Sequence, residues 1–111
     1  MNFVSIIRNP YIDSLNVYGS NGELCGYKMV FGFRFETAGC EYCVELNNTN
    51  IGTVKFLDIV LDFMKYLNVE CVRDMMSRQV EFDVKDGTAT IKSTDKEDKF
   101  YYKFSCRKVE V

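Results

Sequence analysis

The stretch Thr53–Leu67, TVKFLDIVLDFMKYL, is the one long segment in which apolar residues recur at helical rather than strand spacing. Its polar positions after residue 54 follow one another at steps of 3, 4 and 3, which places them on one narrow stripe of a helix. They are Lys55, Asp58, Asp62 and Lys65. The apolar residues cover far more than the roughly 100° that a surface helix turns to its core. The sequence therefore predicts a helix that a wrapping sheet, a second helix or another chain must cover on several sides.

Alternating patterns typical of β-strands precede this helix. Residues 3–8 and 14–18 are short strand-like runs, and a turn at 19–22 leads into the longest alternation, at 24–36. In that central strand one tyrosine, one methionine and three phenylalanines occupy one face. We expect the helix to dock on this face, because it is the most apolar surface that the strands offer. A partner strand is predicted at 42–46.

Two positions of the central strand carry further predictions. Gly32 interrupts a row of large side chains, which indicates either a bulge or a close approach of another group to the backbone. Arg34 is expected opposite or diagonal to Glu41 or Glu45, since unlike charges stabilise cross-strand pairs. Both predictions concern the strand against which the helix is expected to pack.

The chain after the helix begins with a short helical pattern and ends with strands. Residues 69–77 predict a second, shorter helix, and residues 79–85, 88–93 and 100–106 predict three strands. The pair Asp86–Gly87 predicts a type I′ hairpin turn, because both residue types tolerate positive φ.

Together these patterns predict a single α+β domain over residues 1–111. Its first part is an antiparallel β meander of about four strands, followed by one long helix and a short helix, and then by a C-terminal three-stranded β meander. Short hairpin connections favour antiparallel pairing, with the helix packed on one face of the sheet.

The composition disfavours several kinds of partner and location. With 16 acidic and 14 basic residues the net charge is −2, so a run of nucleic-acid phosphates would meet no excess of positive charge. No segment reaches the ~20 apolar residues that cross a bilayer, and the N-terminus lacks the pattern of a secretory signal. The odd number of cysteines, five, indicates a reducing compartment. We therefore expect a cytoplasmic protein that binds neither nucleic acid nor membrane.

Residues that could support catalysis or bind a metal are few. The chain has no histidine, which removes the commonest general base and every Ser–His or Cys–His pair. Cys40 and Cys43 form one Cys-x-x-Cys pair, whereas a zinc site usually needs two such pairs. Asp58 and Asp62 share a helix face with lysines, which is typical of a hydrated surface. We therefore predict no enzymatic activity, no metal and no cofactor.

Excess apolar surface is the remaining feature. The helix, together with Met64, Met75 and Met76, either leaves an apolar patch uncovered or is enclosed by flanking sheets. Uncovered patches mark protein partners, and methionine adapts to irregular surfaces. In kind, though not by any motif, the chain is similar to small inhibitors of phages and mobile elements and to immunity proteins that block a toxin. This similarity implies a non-catalytic protein-binding module, acting in the host cytoplasm if a phage encodes it.

Exposed acids and aromatic residues near the predicted C-terminal hairpins are the candidate contacts with a basic partner, because aromatic rings supply contact area and acids attract bases. They are Asp86, Asp95, Glu97, Asp98, Tyr101 and Tyr102. Two other classes of function stay open. One is a homodimer or structural oligomer formed through the apolar helix or the C-terminal strand. The other is a small-ligand binder or carboxylate enzyme with an aromatic-lined cavity between sheet and helix.

Overall fold

The computed structural model describes residues 2–37, 39–92 and 101–109 of the chain. Seven β-strands form one antiparallel sheet, which curves into a half-barrel around the α-helix. The elements in chain order are β1 (Asn2–Ile6), β2 (Arg8–Tyr18), β3 (Leu24–Thr37), β4 (Cys40–Asn47), α1 (Thr53–Leu67), a 3₁₀ turn (Val72–Met75), β5 (Gln79–Lys85), β6 (Thr88–Lys92) and β7 (Tyr101–Val109).

All seven strands belong to one sheet, in the order β1-β5-β6-β7-β4-β3-β2. β7 joins the two halves of the chain, because its residues Tyr101–Ser105 pair with β6 and its residues Ser105–Val109 pair with β4. The prediction of a four-stranded meander, a long and a short helix and a separate three-stranded meander is therefore wrong. Every strand shows a similar alternation, and only tertiary packing selects which alternating strands pair over a long sequence distance.

β1 and β2 form the two edges of the sheet, although only Ile7 separates them. β1 pairs with β5 and β2 pairs with β3, so this segment crosses from one side of the half-barrel to the other. Ser5 Oγ donates a hydrogen bond to the carbonyl oxygen of Glu36 at 2.7 Å, and Arg8 Nη1 lies 3.1 Å from Glu36 Oε1. These contacts hold the N-terminal segment against the end of β3.

α1 has the bounds that the sequence predicts. Gly52 precedes it with φ 82°, and Asn68 follows it in the left-handed conformation with φ 56° and ψ 51°. The second predicted helix, at 69–77, is instead the single 3₁₀ turn. Met75 is the buried residue of that turn, and a helix this short is marginal unless a broad apolar face packs against the core.

The core lies between α1 and the concave face of the sheet. The buried helix residues recur at helical spacing and are Phe56, Val60, Phe63 and Leu67. The ring of Phe63 lies 6.0 Å from that of Phe31, 5.8 Å from that of Phe33 and 6.0 Å from that of Phe104. α1 therefore crosses β3, β4 and β7, and the prediction that it docks on the aromatic face of β3 is confirmed.

Both predictions for the central strand are also confirmed. Gly32 lies opposite Tyr11 of β2, and a Cβ atom added to Gly32 would be 2.6 Å from Tyr11 Oη. The close approach is therefore that of an aromatic ring over the strand. Arg34 pairs in register with Cys43, and its Nη1 lies 3.5 Å from Oε1 of the diagonal Glu41.

Candidate functional site

β2 is an exposed edge strand eleven residues long. All eight residues from Tyr11 to Tyr18 are exposed, and no described strand pairs with their outer edge. Proteins usually protect such edges with charges, prolines or bulges. Here Pro10 and a register shift lie near the start of β2, and Asp13 is the one charged residue beyond them. The central part of β2 is therefore open to pairing with another strand.

Exposed apolar side chains concentrate on the β2–β3 hairpin. It carries seven of the thirteen large hydrophobic residues that are exposed in the described ranges. They are Tyr11, Ile12, Leu15, Val17, Tyr18, Leu24 and Tyr27. Seven such side chains of roughly 200 Å² each, about half exposed, present on the order of 700 Å². This area is divided between the two faces of the hairpin, so each face alone presents less than the ~800 Å² that each partner buries in a standard protein interface.

The pairing register sorts these side chains onto two faces of the hairpin. Ile12 lies opposite the buried Phe31, so Ile12 and Tyr27 are on the concave face, which also carries the helix. The odd-numbered apolar residues of this part of β2 point to the opposite, convex face. They are Tyr11, Leu15 and Val17. A strand added beside β2 would therefore find apolar neighbours on both of its faces.

One flank of α1 is exposed as well. Val54 is 76% exposed, Leu57 38% and Leu61 52%, and their spacing places them on one stripe. Asp62 lies about 140° around the helix from Leu57 and accepts a hydrogen bond from Tyr102 Oη of β7 at 2.8 Å. The stripe therefore lies on the flank of α1 that turns away from the Asp62–Tyr102 contact.

Apolar side chains are thus exposed both on α1 and on the concave side of the β2–β3 hairpin. They are Leu57 and Leu61 on the helix and Ile12 and Tyr27 on the hairpin. At the C-terminal end of α1, the 3₁₀ turn lies against both β2 and α1. At the other end, the Asn48 side chain accepts from Met29 N–H at 3.0 Å and donates to Thr53 Oγ1 at 3.0 Å. These contacts tie both ends of the helix to the rest of the fold.

The convex face next to β2 has a small cavity with balanced charges. Its volume is about 190 Å³, and its lining includes Cys43, Glu45 and Arg107. The pKa of the Tyr11 hydroxyl is raised, first by burial and then by the nearby Glu45 and Cys43. Arg107 and Arg34 oppose this shift without reversing it. The Tyr11 ring is thus a fixed part of the convex face, packed over Gly32.

Among the described residues, the predicted contacts Asp86 and Tyr101 lie at opposite ends of β6. Asp86 is exposed in the turn before β6, whereas Tyr101 pairs with Lys92 at the far end of β6. Tyr102 is partly buried against the core, and burial together with its hydrogen bond to Asp62 raises its pKa to about 12. The other three predicted contacts lie outside the described residues and are Asp95, Glu97 and Asp98.

The residues considered for catalysis and metal binding do not form a site in the described part of the chain. Cys40 is partly buried and Cys43 is buried, while Asp58 and Asp62 are exposed. Among residues 2–37, 39–92 and 101–109, no three cysteine or carboxylate side chains are placed to hold a metal ion, and the buried polar residue is Thr90.

None of the helices in these ranges is both long and apolar enough to span a membrane.

The free edge of β2 is absent from the sequence-based candidates because edge position depends on strand order. One feature of the sequence does indicate an unusual strand here. The run from Tyr11 to Tyr18 has apolar residues at both odd and even positions, and it has no basic residue. Comparison of the chain with protein-family models, with curated proteins and with solved structures finds no match. The surface around β2 is therefore the basis for a proposed function.

Proposed function

We propose that the protein is a non-catalytic binding module that takes up an extended segment of another protein along the free edge of β2. The observation that carries this proposal is the run of eight exposed residues, Tyr11–Tyr18, on an edge strand with no described neighbour on its outer side. Recognition by strand addition uses such edges, because backbone hydrogen bonds supply affinity and alternate side chains supply specificity.

The apolar surroundings of β2 favour this mode of binding. Concave side chains of the added segment would lie beside Ile12, and convex side chains would lie beside Leu15 and Val17. Burial of apolar area contributes roughly 25 cal/mol per Å² before the costs of association are subtracted. An inhibitor or immunity-type protein needs only such a surface, since it acts by occupying its partner.

We place the protein in the cytoplasm on the chemistry of its thiols. All five cysteines are free, and Cys25 and Cys71 are exposed. Exposed free thiols persist in a reducing compartment and become oxidised outside it.

A homo-oligomer is the second candidate, favoured by the exposed stripe of α1. The C-terminal strand is a less suitable contact, because β7 lies between β6 and β4. Sedimentation velocity at two concentrations separates the candidates. A monomer at both concentrations is expected if the exposed surfaces serve a different protein.

The proposal is tested by panning a library of displayed random nonapeptides against the purified chain and two variants. Leu15→Lys introduces a charge beside the β2 edge, and Val4→Lys is its matched control on β1, the opposite edge. Leu15 is 51% exposed and Val4 54%, and both lie on the convex face. We expect alternating apolar peptides to be enriched on the wild type and on Val4→Lys, and to be lost on Leu15→Lys. Enrichment that Leu15→Lys leaves unchanged would contradict the proposal.

Backbone amide hydrogen exchange supplies a second measurement. Addition of an enriched peptide should slow exchange of those amides within Tyr11–Tyr18 that point away from β3. β1 is paired on one side by β5 and should keep its exchange rates. Protection that appears only in α1 would point instead to binding through the helix.

A further inference from the structure

We infer that the segment bound at β2 carries a lysine or arginine on its convex side, next to Asp13, and apolar residues on its concave side. This inference rests on the proposed function and names the chemistry of the partner segment. It follows from the charge on β2 and from the apolar side chains exposed on the concave side of the β2–β3 hairpin.

Asp13 is the charge that an added strand would cover. It lies opposite Val30 on the convex face, in the same phase as Leu15. Its Oδ1 accepts a local hydrogen bond from Ser14 N–H at 2.8 Å, and the described ion pairs do not include Asp13 or the neighbouring Lys28. A strand beside β2 would remove water from this carboxylate, and a basic side chain in the cross-strand position would compensate for that loss.

A second copy of the chain is a less suitable occupant than a foreign segment. The basic residue of β2, Arg8, lies beyond the register shift and is 3.1 Å from Glu36, so it has a partner already. Two-fold antiparallel pairing centred on Asp13 would set the two carboxylates face to face. Pairing centred on Leu15 would set each carboxylate opposite Val17. Neither arrangement places a basic side chain directly opposite Asp13.

The concave side of the segment would lie beside apolar side chains of the hairpin. Ile12 is 42% exposed and lies opposite the buried Phe31, and Tyr27 is exposed on the same face. Residues two apart on a strand share a face. Apolar residues at alternate positions of the segment would therefore lie on this apolar side of β2.

The test uses a fluorescently labelled peptide, TVTVKVTVT, whose palindromic sequence presents the same pattern in either strand direction. A second peptide has glutamate in place of the central lysine, and a third, TTVVKVVTT, has the same composition without strict alternation. Binding is measured by anisotropy to the wild type, to Asp13→Lys and to Asp58→Lys, an exposed acid on α1 that serves as control. We expect the lysine peptide to bind the wild type about fivefold or more tightly than the glutamate peptide.

The variants decide the inference. Asp13→Lys should reverse the preference between the lysine and glutamate peptides, whereas Asp58→Lys should leave it unchanged. The peptide without strict alternation should bind more weakly than the alternating one. Equal binding of the two charged peptides, or a preference that Asp13→Lys does not alter, would overturn the inference and leave the proposed function standing. If no alternating peptide binds, or if the chain dimerises and peptides do not compete, both fail.

Discussion

Replacing Phe63 by alanine tests whether α1 is docked on the concave face as described. The Phe63 side chain has no exposed area, and three other rings lie within 5.8 to 6.0 Å of its own. Phenylalanine-to-alanine substitutions in cores cost ~3–5 kcal/mol, and ring contacts add to the hydrophobic contribution. We therefore expect the free energy of unfolding to fall by about 4 kcal/mol, which lowers Tm by roughly 15 °C in a domain of this size.

Urea unfolding followed by far-UV circular dichroism measures this loss. Leu61→Ala is the matched control, because Leu61 lies on the same helix and is 52% exposed, and its loss should stay below about 1 kcal/mol. Phe63→Leu retains most of the side-chain volume and should cost about 1–2 kcal/mol, so it remains measurable if the alanine variant is unfolded. Equal losses for Phe63→Ala and Leu61→Ala would refute the docking of α1 through Phe63.

Three further predictions concern single residues. Tyr102 has a pKa raised to about 12 by burial and by its bond to Asp62, so the folded state binds its proton more tightly and stability should fall as pH rises from about 10 to 12. Tyr102→Phe should flatten that part of a stability–pH curve and cost about 0.5–1 kcal/mol at neutral pH. Gly32→Ala should displace the Tyr11 ring, which would appear as changed aromatic shifts of Tyr11 in NMR spectra. Asn68→Ala should lower the free energy of unfolding by about 1 kcal/mol in denaturant titrations, because alanine is strained at φ 56°, and Asn68→Gly should not.

Local features of this fold are readable in the sequence. α1 is predictable because its apolar residues repeat at helical spacing over four turns, which no strand pattern imitates. The turn at Asp86 and Gly87 is predictable because both positions have positive φ, at 51° and 76°. The docking face of β3 follows from its row of phenylalanines. These predictions depend only on residues that are close in the chain.

Strand order and the candidate site depend on residues that are far apart in the chain. The pairing of β7 with β4 is not specified by either sequence, since the apolar pattern of a strand does not identify its partner. Because this pairing cannot be predicted from the sequence, the strands before and after α1 are predicted as two separate meanders. Asp86, one of the acids chosen from the sequence, is an exposed turn residue. The importance of Tyr11–Tyr18 appears only when strand order places β2 at an edge of the sheet.

The pairing of β1 with β5 determines when the molecule can assemble during its synthesis. Asn2 pairs with Asp83 and Ile6 with Gln79, so more than 70 residues lie between the partners. As the chain leaves the ribosome, β2, β3 and β4 can form hairpins, whereas β1 has no partner until β5 has been synthesised. Long-range contacts of this kind slow folding. We therefore expect the newly made chain to expose its first apolar strand to chaperones until most of the sequence has been translated.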